Sequence, residues 1–245
     1  MRALILLLVL LSSAWPAWAG EPLRIVYYEN FEPFSWTENG RTRGILIDVL
    51  DEALHKRLGL EASHEGYPWE RAQDMVRQGL ADGYATVPTP ARLEFSDVGS
   101  QTVTDVTFTM FVNAANPRLE ELLRVRSLEE LKAFTLGHYT GSGWAKKNLA
   151  DHKVFWTPRL ENVLEMLANG RFDGFVDVSQ VVRYYVAKLG YSGRILELPH
   201  VYESSQFKFF IGKKSRHRDL LPRVDAVLDA MHKDGTWQRI HDQYR

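Results

Sequence analysis

The chain of 245 residues contains no cysteine. It therefore has no disulfide framework, and no lipid can be attached at a cysteine. Its 30 basic and 31 acidic side chains nearly cancel, which argues against nucleic acid as a partner, because phosphate binding needs a basic surface. Beyond the N-terminal segment, no apolar run approaches the roughly 20 residues of a membrane-spanning helix. These absences predict a protein that folds around a substantial hydrophobic core of its own.

The first 19 residues have the features of a secretory signal peptide. Arg2 provides a positive start, residues 4–11 are apolar, and Ala17 and Ala19 form an A-x-A cleavage site. A transmembrane anchor is the alternative, and the apolar stretch is too short for it. We therefore expect cleavage after Ala19 and a periplasmic protein that is not a lipoprotein.

Predicted strands and helices alternate along the rest of the chain. Residues 23–27 form a short apolar run typical of a buried strand, and apolar residues recur at helical spacing from Leu46 to Leu58, before Gly59. A second helix is indicated by the apolar spacing of Trp69, Ala72, Val76 and Leu80. This alternation predicts an α/β fold with a mostly parallel sheet.

Two segments of the chain match in frame. MVRQGLADGYATV at 75–87 and MLANGRFDGFVDV at 166–178 share a Met, a Gly four residues later, an Asp-Gly pair and a final Val. Each is typical of a helix end, a glycine stop, a turn and a buried strand. Coincidence is one explanation, since such joints are common; two lobes of similar construction are the other. A cleft between two lobes is where ligands bind, beyond the carboxyl ends of the strands.

Three further segments carry a family resemblance. RGILIDVLDEALHKRLGL at 43–60, PTPARLEFSD at 88–97 and LLPRVDAVLDAMHKDGTWQRIHDQYR at 220–245 resemble, in the same order, signature segments of periplasmic solute-binding proteins of the polar amino-acid family. The resemblance implies the type II periplasmic binding protein fold, with two α/β lobes, each a mostly parallel sheet flanked by helices. It implies lobe 1 at 20–104, lobe 2 at 105–205, and a return of 206–245 to lobe 1. The two hinge crossovers are expected near 103–105 and 204–206.

Arg92 is the first candidate for ligand binding. Pro88 and Pro90 restrain the backbone that leads to it. Its guanidinium is a planar fork that matches a carboxylate bidentately and stays charged. The family has its carboxylate-binding arginine at this place in the motif, so the resemblance assigns the ligand carboxylate to Arg92. An ordinary ion pair with Glu94 or Asp97 is the alternative.

Four more candidates lie in the first lobe. The resemblance places a ligand-stacking ring at Phe31 and an opposing ring at Trp69, and simple core packing is the alternative for each. Tyr28, at the end of the first predicted strand, is a further candidate. Thr86 lies where hydroxyl side chains are common in the family.

The second lobe offers Ser142 and Asp177. A glycine-rich turn enters a predicted helix at about 142–144 and presents unpaired N–H groups to an anion. The matching turn contacts ligand in the family, and a plain N-cap serine is the alternative for Ser142.

Asp177 is the candidate for binding a ligand ammonium group. In the family the ammonium-binding acid occupies the position that is Val178 here, so Asp177 precedes that position by one residue. A one-residue slip turns a side chain to the other face of a strand unless a bulge corrects it. A modified amino acid or a small carboxylate therefore stays open as the ligand.

The resemblance implies a monomeric binding protein that delivers a small carboxylate-bearing solute, an amino acid or a derivative, to an inner-membrane ABC permease. We expect no catalytic residues, no metal and no cofactor: the eight histidines lack metal-ligand spacing, and no phosphate loop or dinucleotide fingerprint occurs. Two alternatives stay open. One is an enzyme of the same fold, similar to cyclohexadienyl dehydratase, and the other is a ligand-binding partner of a membrane sensor.

Overall fold

A computed structural model describes residues 21–244, so the predicted signal peptide lies outside the described residues. The strands are β1 (Leu23–Tyr28), β2 (Asn30–Phe31), β3 (Ser35–Glu38), β4 (Arg41–Arg43), β5 (Ala62–Tyr67), β6 (Gly83–Thr86), β7 (Ser96–Asn113), β8 (Thr135–Tyr139), β9 (Lys153–Thr157), β10 (Phe175–Val178) and β11 (Ile195–Gly212). The helices are α1 (Ile45–Asp51), α2 (Trp69–Gln78), α3 (Pro90–Leu93), α4 (Leu119–Leu122), α5 (Gly143–Asn148), α6 (Leu160–Ala168), α7 (Ser179–Lys188), α8 (Leu221–Lys233) and α9 (Thr236–Asp242). None of the helices within 21–244 is long and apolar enough to cross a membrane.

The largest sheet has the strand order β10-β7-β11-β6-β1-β5. β1 is parallel to β5 and β6, while the long strands β7 and β11 run antiparallel through the middle of the sheet. On the far side, β8 and β9 form a parallel pair, and a bridge between Leu136 and Gly174 places β8 beside β10. The predicted two-lobed α/β class is confirmed, with β7 and β11 as the strands that cross between the lobes. Asp105 pairs with Gln206 within these two strands.

The internal repeat of the sequence is also a structural repeat. Asp82 donates its N–H to the carbonyl of Arg24 and accepts the Arg24 N–H with its carboxylate, both at 2.8 Å. Asp173 makes the same two bonds with Thr135, at 2.7 and 2.8 Å. Arg24 lies at the start of β1 and Thr135 at the start of β8. Each aspartate therefore joins the start of its strand to the start of a neighbouring strand by the same two bonds, which favours similar construction of the two segments over coincidence.

Glycines end the two predicted helices of the first lobe. Gly59 (φ 64°) follows α1 and the π-helical segment Glu52–Arg57 that continues it. Gly79 (φ 81°) caps α2 in the left-handed region that favours glycine. The prediction that Leu80 belongs to the apolar face of α2 is wrong, because the chain has left the helix at Gly79 and Leu80 is 58% exposed.

The C-terminal helices pack against the region around α1. Arg57 lies 2.9 Å from a carboxylate oxygen of Asp234 and donates a hydrogen bond to the hydroxyl of Thr236 at 2.9 Å. The hydroxyl of Tyr244 donates to a carboxylate oxygen of Asp48 at 2.5 Å. These contacts join the two ends of the chain, and they close the first lobe with residues that follow β11.

A second set of contacts spans the cleft between the lobes. Glu32, between β2 and β3, accepts a hydrogen bond from the hydroxyl of Tyr185 on α7 at 3.1 Å. The ammonium group of Lys188 lies 3.8 Å from the other oxygen of Glu32. The ring of Trp36 lies 6.0 Å from the ring of Tyr184. The two halves of the molecule therefore touch at one edge of the cleft.

Candidate functional site

The carboxyl ends of parallel strands from both lobes lie at the cleft. β1 ends at Tyr28 and β6 at Thr86, while β8 ends at Tyr139 on the other side. Ligands of α/β sheets bind beyond these strand ends. A pocket of about 260 Å³ lies there. It is lined by Tyr28, Phe31, Trp69, Thr86 and Phe207, of which the sequence predicted all but Phe207.

A larger surface cavity, of about 570 Å³, lies at the other end of the second lobe. Its lining includes Thr135, which begins β8, together with Asn113 and Asp173. It thus opens at the amino end of a parallel strand, where α/β sheets do not place their ligands. We therefore assign the candidate site to the smaller pocket.

The two predicted wall residues pack on the core and also line the pocket. The ring of Phe31 lies 5.0 Å from that of Phe34 and 6.2 Å from that of Phe207. The ring of Trp69 meets Tyr84 edge to face at 5.8 Å. Both side chains keep part of their surface exposed in the pocket. Core packing and wall formation are therefore compatible roles for the same rings.

Removing either wall should weaken binding more than folding. We expect Phe31→Ala and Trp69→Ala each to lower ligand affinity by roughly 1–2 kcal/mol, because a stacking face is lost. Their cooperative unfolding should be kept, since both rings are only partly buried. Isothermal titration calorimetry and thermal unfolding without ligand measure the two effects. A variant that loses most of its stability while binding normally would show that its ring serves the core alone.

The backbone of Arg92 is held from both directions. Thr89 caps α3, and its hydroxyl accepts the Arg92 N–H at 3.4 Å. Pro90 begins the helix, where its missing N–H and fixed φ are favourable. The hydroxyl of Ser96 donates to the Arg92 carbonyl at 2.6 Å and lies 2.9 Å from the hydroxyl of Tyr84. The arginine therefore loses little backbone freedom on binding a ligand.

The side chain of Arg92 is directed across Trp69. Its Nε donates to the amide oxygen of Gln73 at 3.2 Å, and Nη1 donates to the carbonyl of Val87 at 2.8 Å. Its Cζ lies 5.3 Å from the centre of the Trp69 ring. Because these contacts are all neutral, they orient the guanidinium and leave its charge uncompensated.

The predicted alternative, an ion pair with Glu94 or Asp97, does not form. Asp97 pairs with Arg218 at 2.7 Å, and among residues 21–244 no ion pair joins Arg92 to a carboxylate. Burial lowers the pKa of Arg92 below its ordinary value, but a guanidinium remains charged at any physiological pH. The pocket edge therefore holds a partly buried, unpaired positive charge.

Ser142 is the N-cap of α5, which was the predicted alternative to ligand contact. Its hydroxyl accepts the Ala145 N–H at 3.2 Å, and the residue is 6% exposed. The helix is also fixed to the crossover strands, because Trp144 donates to Glu203 at 2.5 Å and stacks on Phe108 at 4.5 Å. The hydroxyl of Ser142 also interacts with the hydroxyl of Tyr139 and lowers the pKa of that phenol.

Asp177 is buried on β10 and does not line the pocket. The register of β10 against β7 is regular, so no bulge changes the face of its side chain. One carboxylate oxygen accepts the Val178 N–H at 2.7 Å. The other lies 3.9 Å from Nε2 of His138, and the neighbouring Tyr139 hydroxyl interacts with the carboxylate and lowers its pKa. Asp177 is thus a 5% exposed carboxylate whose side-chain donor is the hydroxyl of Tyr139.

The neighbouring His138 is neutral and gives Asp177 no counter-charge. Its Nε2 lies 3.1 Å from the Val176 carbonyl, and its Nδ1 lies 3.0 Å from the N–H of Tyr139. This arrangement assigns the Nε2–H tautomer, with Nδ1 as an acceptor. Burial lowers the pKa of His138 to about 4 and raises the pKa of Asp177 to about 6. Asp177 is therefore a buried carboxylate without an opposite charge beside it among the described residues, and its burial disfavours the ionised form.

Tyr139 interacts with candidate residues from both sides of the cleft. Burial raises its pKa, and the negative charge of Asp177 raises it further, while the hydroxyl of Ser142 lowers it and Tyr28 acts across the cleft. Asp177, Ser142 and Tyr28 therefore each lie within interaction distance of Tyr139. Tyr139 and Phe207 were not among the predicted site residues, although Tyr139 ends a strand before the glycine-rich turn and Phe207 directly follows a predicted crossover.

A metal centre is not formed within 21–244, where no group of three His, Asp or Glu side chains is arranged to hold an ion. The site therefore consists of an aromatic pocket with an unpaired guanidinium at its edge and a buried carboxylate on the opposite lobe. These features fit the binding of a small charged molecule.

The chain resembles known proteins along nearly its whole described length. The sequence model of bacterial extracellular solute-binding proteins, family 3, matches residues 23–245. The probable amino-acid-binding protein YxeM of Bacillus subtilis (strain 168) is 24% identical over 220 residues, which are 86% of this chain and 79% of that protein.

Two solved structures share the fold. Substrate-binding domain 2 of GlnP from Lactococcus lactis superposes with a TM-score of 0.73 at 21% identity, covering 92% of this chain and 95% of that one. The second substrate-binding domain of a putative amino acid ABC transporter from Streptococcus pneumoniae gives 0.72 at 20% identity, covering 90% and 98%. With its cleft, its two lobes and the family match over residues 23–245, the chain belongs to the bacterial extracellular solute-binding proteins, family 3.

Proposed function

We propose that this solute-binding protein is the periplasmic, monomeric component of an ABC importer and that its ligand is an amino acid or a close derivative. Arg92 carries the proposal, because it is a positioned, partly buried guanidinium without an ion-pair partner. The similarity to a probable amino-acid-binding protein and to a domain of a putative amino acid ABC transporter supports it. The periplasmic location depends on the signal peptide expected at residues 1–19.

Arg92 would hold the ligand carboxylate. Its Nε and Nη1 already have neutral acceptors, and no hydrogen bond joins Nη2 to a described residue. A carboxylate placed beside Nη2 would form a charge-assisted bond and compensate the charge. Thr86, 6% exposed at the end of β6, would contribute its hydroxyl from the pocket wall.

Asp177 would hold the ligand ammonium group. No positively charged group pairs with its carboxylate among the described residues, because the neighbouring His138 is neutral. An ammonium group would supply that charge together with three donors. The hydroxyl of Ser142, which interacts with that of Tyr139, would complete this end of the site.

The two ends of the proposed site belong to different lobes. Arg92 and Thr86 lie on α3 and β6, in the segment 20–104 that we assign with 206–245 to lobe 1. Asp177 and Ser142 lie in the segment 105–205 that we assign to lobe 2. A ligand contacting both sets is satisfied only when the lobes are closed, so its binding energy shifts an open–closed equilibrium.

Closure without chemical change is the expected result for a transport protein. A thermal-shift screen with amino acids, amines and small carboxylates should identify a ligand, because a solute at 100 times its Kd adds about 2.7 kcal/mol to the free energy of unfolding. Small-angle scattering should then show a more compact particle, and mass spectrometry should recover the solute unchanged. Arg92→Ala at the same solute concentration is the control and should stay extended.

Other outcomes would contradict the proposal in distinct ways. Conversion of the solute would indicate an enzyme of the same fold. Binding and closure without stimulation of the matching permease in proteoliposomes would indicate a partner of a membrane sensor. A compact particle that needs no ligand, and that Arg92→Ala leaves unchanged, would contradict ligand-driven closure itself.

A further inference from the structure

We propose that the ligand carries an uncharged aromatic or bulky apolar group, and that Phe207 on β11 is the residue that selects it. This inference rests on the proposed function, because it names the ligand class of the same pocket. Three observations carry it: the arrangement of the rings, the distribution of charge and the size of the pocket.

Phe207 and Phe31 present adjacent rings to the pocket. Their centroids are 6.2 Å apart, and their planes are inclined by only 27°. Phe34, which is fully buried, contacts both rings, at 5.3 Å from Phe207 and 5.0 Å from Phe31. Because the core fixes the two rings before the ligand arrives, an apolar group that covers them loses little affinity to side-chain ordering.

The charges around the pocket oppose a cationic side chain. None of the five lining residues carries a carboxylate, and the guanidinium of Arg92 lies 5.3 Å from the Trp69 ring, which is part of the lining. A lysine-like or arginine-like group would be desolvated beside this second cation. The free energy lost when an unpaired ion is desolvated exceeds the free energy gained from its contact with an aromatic face.

The size of the pocket limits what can cover its rings. Phe207 lies beside the end of β6, because Lys208, its neighbour in the chain, pairs with Thr86. The hydroxyl of Thr86 and the rings of Phe31 and Phe207 therefore line one small pocket. A volume of about 260 Å³ is below the range of about 300–1,000 Å³ that is typical of sites for drug-sized ligands. The pocket therefore fits one side chain and excludes a peptide.

Calorimetric titration of the mature protein with single amino acids tests the inference. The probes are L-phenylalanine, L-tryptophan and L-leucine, with L-alanine as the small reference and L-lysine and L-arginine as cations. We expect at least one of the first three to bind about tenfold more tightly than the others, as a filled apolar pocket allows. Phe207→Ala should remove about that factor for the favoured probe and leave the affinity for L-alanine nearly unchanged.

Two further variants keep the test decisive. Phe207→Leu preserves apolar burial without a ring, so it should fold even if Phe207→Ala does not, and it should favour L-leucine relative to L-phenylalanine. Phe155→Ala, at a 52% exposed ring on β9 outside the pocket, should leave every affinity unchanged. An effect of Phe155→Ala as large as that of Phe207→Ala would overturn the assignment of Phe207.

The failure of this inference differs from the failure of the proposed function. If L-lysine or L-arginine binds most tightly and Arg92→Ala abolishes that binding, the ligand class is wrong and the amino-acid site stands. If no probe binds while the thermal-shift screen finds another amino acid or derivative, the inference is overturned and the proposed function stands. If the binding of a probe survives Arg92→Ala, both are overturned.

Discussion

Replacing Arg92 by alanine should weaken ligand binding by about 2–5 kcal/mol, which corresponds to roughly 30-fold to several thousand-fold in Kd. The variant would leave the ligand carboxylate desolvated beside the Trp69 ring without an opposite charge. Arg92→Lys should also bind poorly, because a point charge cannot keep the bonds to Gln73 and Val87 and also meet a carboxylate. Isothermal titration calorimetry with the ligand found by screening measures both losses.

A neighbouring arginine provides the matched control. Arg71 lies on the exposed face of α2, with its Cζ 4.8 Å above the Tyr67 ring, and it does not line the pocket. Arg71→Ala removes the same charge and should leave Kd unchanged. Thermal unfolding without ligand should be cooperative for all three variants. Wild-type affinity in both Arg92 variants would show that the guanidinium is not the anchor of the ligand.

Asp177→Asn should stabilise the unliganded protein at neutral pH while reducing its affinity. In the folded protein burial raises the pKa of Asp177 from 3.8 to about 6, so folding disfavours the ionised form. The Asp177 contribution to the free energy of unfolding should therefore fall as pH rises from about 4 to above 6, by at most about 3 kcal/mol. The lowered pKa of His138 acts in the opposite direction over the same range in both proteins. The stability of Asp177→Asn relative to the wild type should consequently increase as pH rises, and urea unfolding of the two proteins over this range measures that difference.

The ligand should act on Asp177 in the opposite direction. A bound ammonium group favours the ionised carboxylate and so lowers its pKa. Wild-type affinity should consequently decline as pH falls below about 6, and this dependence should be absent in Asp177→Asn. Asp151→Asn, at an exposed position of the same lobe, is the control and should change neither curve. If Asp177→Asn binds as tightly as the wild type at all pH values, the ligand is a carboxylate whose recognition does not involve Asp177.

Local sequence determined the elements and the lobes. The in-frame repeat marked by Asp82 and Asp173 predicted two similar lobes, because a turn that ties one strand to the next depends on a few adjacent residues. The same holds for Arg92, since the prolines and threonine that hold it are its own neighbours in the chain. Ring positions at Phe31 and Trp69 followed from the family resemblance, which covers the strand ends on which the pocket is built.

Tertiary structure alone decided the charge state and the completion of the site. Arg92 has no ion-pair partner among the described residues because Asp97 pairs with Arg218, far along the chain. Likewise, Phe207 joins Phe31 only because β11 crosses back beside β6. How strongly a charged side chain is desolvated, and whether it has an ion-pair partner, depends on neighbours that come from distant segments of the chain. The sequence by itself therefore determined which residues stand at the strand ends, and the packing of the two lobes decided which of them are buried, charged and free to bind.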